Sequence, residues 1–193
     1  EYFKNNRVRW EDFYPSEKAL IGRIGMHKMM SVLDIGCGCG GLGLALKERF
    51  ELTSYTGIEI NRQAAEMASK MNPGANIIAG DFLYSNHLDL PDKYEVVFSL
   101  GCIDWNVSFC EMLHAAWNMV VPGGYFVSTF RMTSDYGCDD INRSYQYVNF
   151  KGQRDGEKAP YVVVNGRALK RKILELMPPP SSIIANGYFG YPS

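Results

Sequence analysis

The chain has 193 residues, of which 46% are hydrophobic and 21% charged, with a formal net charge of −1. That is an ordinary globular composition with enough apolar residues for one sizeable core, and its neutrality leaves no electrostatic footprint for nucleic acid or an anionic membrane. No apolar run approaches the ~20 residues of a membrane span, no signal-peptide pattern opens the chain, and five cysteines in no regular framework fit a reducing, cytoplasmic setting.

Residues 1–30 form an aromatic and helical N-terminal segment. Tyr2, Phe3, Arg7, Arg9, Trp10, Phe13 and Tyr14 read as packing onto a sheet edge, and Pro15-Ser16-Glu17 starts a helix with Ser16 as its N-cap and Leu20, Ile21 and Ile24 as its buried stripe. Residues 32–35 read as a buried strand that breaks into Gly36-Cys37-Gly38-Cys39-Gly40-Gly41 and then a helix carrying Leu42, Leu44, Ala45 and Leu46. A second strand over 52–58 ends at Glu59. Asn61 caps a helix whose apolar face is Ala64, Met67, Ala68 and Met71, stopped by Asn72-Pro73-Gly74.

A third strand, Asn76–Ala79, is followed by Gly80-Asp81-Phe82, and a fourth over 94–100, preceded by Pro91-Asp92, by a loop containing Asp104 and Trp105. Asn106 is the expected cap of a helix burying Phe109, Met112, Leu113 and Ala116. After the turn Val121-Pro122-Gly123-Gly124 comes a fifth strand over 125–130. This alternation predicts an α/β fold, a doubly wound, mostly parallel sheet with helices on both faces.

Residues 131–164 break the rhythm with a polar stretch, the aromatic run 145–150 and a β-like run 161–164. An excursion of that length reads as a substrate-side cap inserted after the fifth strand. Asn165 opens a helix with Leu169, Ile173 and Leu176 inward. Pro178-Pro179-Pro180 ends it, and residues 182–188 predict one more strand. The whole, 1–193, reads as a single domain.

Strand, glycine turn and helix together present bare backbone and a helix N-terminus at a sheet edge. Gly36, Gly38 and Gly41 also satisfy the dinucleotide spacing G-x-G-x-x-G, so the glycines alone leave the ligand open. Asp34, a carboxylate in an apolar strand, needs hydrogen bonds, either by fixing the glycine loop or by accepting from a cationic ligand group. Glu59, at the next strand end, suits the two ribose hydroxyls of an adenosine, in NAD as well as in other carriers. A metal site is not expected, because Cys37 and Cys39 lack further ligands and Cys102, Cys110 and Cys138 lack paired spacing. His114 shares a helix face with Glu111 and Asn118 and reads as solvated, while His27 and His87 have no evident partner.

Asp34-Ile35-Gly36-Cys37-Gly38-Cys39-Gly40 resembles the first motif of the class I S-adenosylmethionine-dependent methyltransferases, an acidic residue followed by G-x-G-x-G. Asp81-Phe82 is similar to that family's pair after the third strand, where the acid bonds the adenine amino group and the next residue packs on the ring. Pro122-Gly123-Gly124 is a further likeness, and the match runs over 32–130. The resemblance implies S-adenosyl-L-methionine as cofactor, contacted by Asp34, Gly36, Cys37, Gly38, Gly40, Glu59, Ile60, Asp81, Phe82, Ser99 and Leu100. It implies methyl transfer to an oxygen or nitrogen of a small-molecule acceptor, and for the leading segment 1–15 it implies a place over the cofactor or substrate as the alternative to packing onto the sheet edge.

The acceptor pocket then falls at the strand ends, with Trp105 as an apolar wall, Arg131 holding an anionic acceptor, and Asp104 either the base or a second helix cap. Two rivals stand beside this reading. A NAD(P)-dependent oxidoreductase sharing the first βαβ unit is disfavoured by Asp81-Phe82 and by the lack of a Tyr-x-x-x-Lys pair. A non-catalytic adenosine-binding partner subunit is the other. The family closes its sheet with a seventh, antiparallel strand, which here is either supplied within 145–164 or missing from this sequence.

Overall fold

The computed structural model describes residues 7–87, 90–91, 93–148 and 153–187. Tyr2, Phe3, Asp92, Asn149, Phe150 and Tyr188, and the side chain of His87, lie outside the described residues. Short aliphatic runs form a five-stranded parallel sheet: β1 (Ser31–Ile35), β2 (Ser54–Glu59), β3 (Asn76–Ala79), β4 (Tyr94–Ser99) and β5 (Val120–Ser128), in the order β3-β2-β1-β4-β5.

Alternate strand residues serve opposite faces. Val32, Tyr55, Val96 and Phe98 pack against α1 (Pro15–Ile24) and α2 (Gly41–Phe50) through Ile21, Ala45 and Leu46. Leu33, Ile35, Ile58 and Val97 pack against α4 (Phe109–Asn118) and α5 (Gly166–Leu174) through Met112, Ala116 and Leu169. Between β2 and β3 the chain forms α3 (Arg62–Met71). Leu33, Val96 and Val97 are fully buried, each such side chain worth about 1.5–3 kcal/mol relative to exposure. The doubly wound parallel fold is therefore the one expected, with both sheet faces covered. No helix among the described residues is long and apolar enough to cross a membrane.

The caps divide. Asn61 Oδ1 accepts from Ala64 N at 3.1 Å, and Asn165 Oδ1 from Arg167 N and Ala168 N at 3.0 Å each, as expected. Ser16 does not cap α1: Tyr14 is the N-cap, Pro15 supplies the first turn's fixed φ, and Glu17 Oε2 accepts from Tyr14 N at 3.0 Å. Nor does Asn106 cap α4, whose N-cap is Ser108. Asn106 Oδ1 accepts from Ser108 N at 2.9 Å and turns the chain one step earlier.

The fifth strand begins before the expected turn and absorbs it. Its register with β4 jumps from Tyr94 opposite Val120 to Val96 opposite Tyr125, so 121–124 bulge within the strand. The expected strand over 182–188 is absent from 182–187, where Ile183 and Ile184 are 43% and 53% exposed. The start of the proline run is held by Trp117 Nε1 donating to Pro178 O at 2.8 Å.

The excursion after β5 builds two small sheets of its own. β6 (Met132–Thr133) pairs in parallel with β9 (Val164–Asn165), and β7 (Tyr145–Tyr147) pairs antiparallel with β8 (Lys158–Pro160). These strands are extra, but they do not extend the central sheet.

Candidate cofactor and acceptor site

After β1 the chain winds outward through β2 and β3, then returns to lay β4 on the other side of β1. The loops leaving β1 and β4 therefore part at this switch point, and a crevice opens between them. A cavity of about 480 Å³ lies there, within the range that holds small ligands. Its floor is Asp34 and the glycine loop, Leu100 and Gly101 form one wall, and Arg7, Asp12, Phe13 and Tyr14 roof it. The N-terminal aromatics thus do two things: Trp10 packs edge-on against Phe50 at 5.4 Å, and Phe13 and Tyr14 face the cavity.

The glycine loop is held by backbone and by one carboxylate. Gly36 N and Cys37 N donate to Ile58 O at 2.8 and 3.0 Å. Gly36 has φ +74°, and a Cβ there would lie 2.5 Å from Cys102 Sγ, so only glycine fits. Gly38 N donates to Glu59 Oε2 at 2.9 Å, and Asn61 N to Glu59 Oε1 at 2.8 Å. Of the two roles expected for Asp34, fixing the loop belongs instead to Glu59.

Asp34 is 3% exposed and accepts from the Tyr55 hydroxyl at 2.6 Å. Burial lifts its carboxyl from 3.8 to about 7; the Tyr55 hydrogen bond opposes this, the Glu59 charge adds to it and the Arg7 charge opposes it.

These residues fit an adenosyl group with a cationic end. A Cβ on Gly38 would meet nothing within 4 Å, so bare backbone faces open space. Each Glu59 oxygen accepts one backbone N–H and keeps a further lone pair for a hydroxyl. Asp34 supplies a carboxyl within the cavity.

The other expected contacts spread outward. Glu59, Ile60, Asp81, Phe82, Ser99 and Gly40 do not line the cavity, whereas Asp34, Gly36, Cys37, Gly38 and Leu100 do. Ile60 is 70% exposed, just past Glu59. Asp81 Oδ1 accepts from Leu83 N at 3.0 Å, and Gly80 N donates to Glu59 O, which sets the ends of β2 and β3 side by side. The Phe82 ring is buried in the layer that holds Ile58 and Ile103. Ser99 is fully buried with its Oγ unpartnered.

Burial pushes the Cys37 thiol far up and the Cys102 thiol to about 12, which keeps both protonated. No His/Cys/Asp/Glu group among the described residues could hold a metal. His114 is exposed on α4, as are Glu111 and Asn118.

Asp104 and Arg131 come together, but not at the cavity. Asp104 sits in a single 3-10 turn, Ile103–Trp105, 3% exposed, and does not cap α4. Its Oδ2 accepts from Arg131 N at 3.0 Å and lies 3.4 Å from Arg131 Nη1, while its main-chain O accepts from Arg131 Nη1 and Val162 N at 2.8 and 2.9 Å. Burial raises the Asp104 carboxyl and the Arg131 charge opposes that rise.

The Arg131 guanidinium lies over the rings of Trp105 and Tyr161, 4.2 and 3.8 Å from their centroids. Arg131 O accepts from Val164 N at 2.9 Å. Both ends of the cap are thus tied to one turn after β4, and Arg131 gives its main-chain N–H and its Nη1 to Asp104. Arg7, Tyr55 and Tyr161 are not among the site residues expected from sequence. Tyr55 alone carries a signal there, since its side chain lies on the same face as that of Asp34 in the neighbouring strand.

Residues 32–124 match the family model for a methyltransferase domain. Over 98 residues the chain is 29% identical to a phthiotriol/phenolphthiotriol dimycocerosates methyltransferase of Mycobacterium tuberculosis, an overlap covering 49% of this chain and 35% of that protein. Over 101 residues it is 29% identical to a fatty-acid O-methyltransferase of Mycolicibacterium smegmatis, covering 51% and 36%. The chain thus spans little more than a third of the length of these relatives.

Two solved structures share the fold. S-adenosylmethionine-bound CalS10, an amino pentose methyltransferase from Micromonospora echinaspora, has a TM-score of 0.51 at 23% identity, covering 66% of this chain and 52% of that one. A Haloferax volcanii methyltransferase in complex with the Trm112 activator has a TM-score of 0.52 at 20% identity, covering 62% and 53%. Residues 32–124 thus match a methyltransferase domain, and the fold is that of the class I S-adenosylmethionine-dependent methyltransferases.

Proposed function

We propose that this chain binds S-adenosylmethionine in the switch-point cavity and directs its methyl group to an oxygen or nitrogen of a small-molecule acceptor. The observation that carries the reading is the cavity itself: bare glycine backbone on its floor, an acidic side chain within it, and a second carboxylate holding its loop. A relative named as a fatty-acid O-methyltransferase supports a small acceptor.

When bound, the cofactor supplies an electrophilic methyl group that leaves its sulfur as the acceptor's lone pair attacks. Gly36 and Gly38 admit the ligand against the backbone, Glu59 accepts from hydroxyls, and Asp34 faces the cationic end. Asp81, just past β3, accepts from the adenine amino group. The cap, tied beside β4 through Asp104 and Arg131, keeps water from the acceptor side and aligns what binds there.

The test is calorimetry with S-adenosylhomocysteine, NAD and NADP, followed by transfer of labelled methyl to fatty acids, phenols and amines. Micromolar binding of S-adenosylhomocysteine with silent dinucleotides, and a labelled product, are expected. Preference for a dinucleotide overturns the reading, and binding without transfer to any acceptor favours the non-catalytic subunit.

A further inference from the structure

The even charge balance of the chain conceals a division. Residues 1–157 carry fifteen Lys and Arg against twenty Asp and Glu, a net of −5, whereas residues 158–193 carry five against one, a net of +4. Four of those five cations, Arg167, Lys170, Arg171 and Lys172, lie in the nine residues of α5, which contain no acidic side chain. Leu169 and Ile173 of that helix pack into the core. Arg167, Lys170, Arg171 and Leu174, at i, i+3, i+4 and i+7, share the outward face and are exposed.

A solvated helix face commonly alternates its charges, and this one does not. Among the described residues none of the four cations makes an ion pair, and the acid that follows them is Glu175 at the C-cap. Cations in the last turn suit the helix dipole, but Arg167 stands in the first turn, against it, and repels Arg171 one turn on. Apolar side chains flank the charges at both ends. Leu174 is 54% and Met177 76% exposed on one side; on the other, Met132 is 54% exposed, its Sδ 3.9 Å from where a Cβ on Gly166 would stand.

A nucleic acid would satisfy the cations through its phosphates and leave these aliphatic groups in water. An anionic lipid surface satisfies both, since Lys and Arg meet the headgroups while the apolar side chains reach the acyl boundary. We propose that the outward face of α5, with Met132, Leu174 and Met177, docks this chain on an anionic lipid surface. The docking is independent of the methyl-transfer reading, and it sets the root of the cap, where β9 runs into α5, beside the lipid.

The experiment is cosedimentation of the full chain with vesicles of phosphatidylcholine alone and of phosphatidylcholine with about 30% phosphatidylglycerol. The parent is expected to sediment with the anionic vesicles at about 0.1 M salt, to leave them at about 0.5 M, and to ignore the neutral ones. Arg167→Gln/Lys170→Gln/Arg171→Gln should lower the partition coefficient about tenfold or more. Arg23→Gln/Lys47→Gln/Arg49→Gln removes the same charge from exposed positions on α1 and α2, across the sheet, and should change it less than about twofold. Leu174→Ser/Met177→Ser should weaken binding about threefold or more at unchanged charge.

A parent that stays in solution with anionic vesicles overturns the proposal, as does equal loss in the two charge variants. Undiminished binding by Leu174→Ser/Met177→Ser, or tighter binding to polyuridylate than to the vesicles, gives the face to phosphate rather than lipid and overturns it too. Circular dichroism checks the fold of each variant, and the parent's own choice between the two vesicles tests the proposal should one unfold.

Discussion

The Tyr55 hydroxyl donates to Asp34 at 2.6 Å inside the sheet's apolar layer, and the burial of that carboxyl, whose effect the bond opposes, makes the site sensitive to pH. Burial raises the folded carboxyl from 3.8 to about 7, so between those values the folded chain holds a proton that the unfolded chain has lost. The stability this group contributes is complete below 3.8 and is lost as pH rises through about 7. A bound ammonium has the opposite preference, favouring ionised Asp34. Affinity for S-adenosylhomocysteine should therefore climb as pH rises towards about 7, with proton release on binding below that value. Calorimetry near pH 6 in buffers of different ionisation heat should show this release for the parent and none for Asp34→Asn; equal release in both sinks the assignment.

Glu59 holds Gly38 N–H with one oxygen and Asn61 N–H with the other. Glu59→Ala frees both, and S-adenosylhomocysteine affinity should fall by roughly 1.5–3 kcal/mol, the range for hydrogen bonds to a charged group. Glu59→Gln keeps one acceptor oxygen and should fall between. Titration of the three proteins ranks them, and an alanine variant that binds like the parent removes Glu59 from the site.

Asp104 is tied to Arg131 through main chain and side chain at once, and the pair is only 4% and 22% exposed. Removing one partner of a buried pair costs about 3–5 kcal/mol, and partial exposure of Arg131 places the expected loss at the lower end. Asp104→Ala should lower the melting temperature and speed proteolysis within 134–160 while sparing cofactor affinity. Asp104→Asn keeps an acceptor for Arg131 N–H and should loosen the cap less. A cap as resistant in Asp104→Ala as in the parent discards the fastening role; a folded Asp104→Asn with turnover down about 10²–10⁴-fold and an intact cap restores the base.

Deleting 137–156 removes the tip of the cap and leaves its roots, where Arg131 O accepts from Val164 N and Asp104 O from Val162 N. Cofactor affinity should stay within about twofold, since none of the described residues of this stretch lines the cavity, while transfer is lost with the acceptor wall. Loss of affinity together with transfer shows instead that the stretch supports the core.

What the sequence discloses follows from the range of the forces involved. Buried runs such as 32–35 and 94–99 and the caps Asn61 and Asn165 are local patterns, and they lie where those patterns place them. The glycine loop and Glu59 are legible because a sheet edge, a turn and a strand end recur at fixed spacing. The pairs β6–β9 and β7–β8 are two or three residues long, too short to carry a period. Asp104 with Arg131 and Arg7 with Glu17 join residues 27 and 10 apart, and no local rule relates them. Residues 182–184 have strand composition, but two exposed isoleucines beyond a proline run find no neighbouring strand.

The missing Cβ of Gly36 is the socket in which Cys102 Sγ sits, and that contact locks the loop after β1 to the loop after β4. Floor and wall of the cavity then behave as one rigid joint, because any parting of the two loops empties the socket. The roof is fastened differently, by the Arg7–Glu17 ion pair, by the guanidinium over the buried Phe13 ring and by Trp10 edge-on to Phe50. The glycines accordingly set how floor and wall meet, while the roof rests on the contacts of residues 7–14.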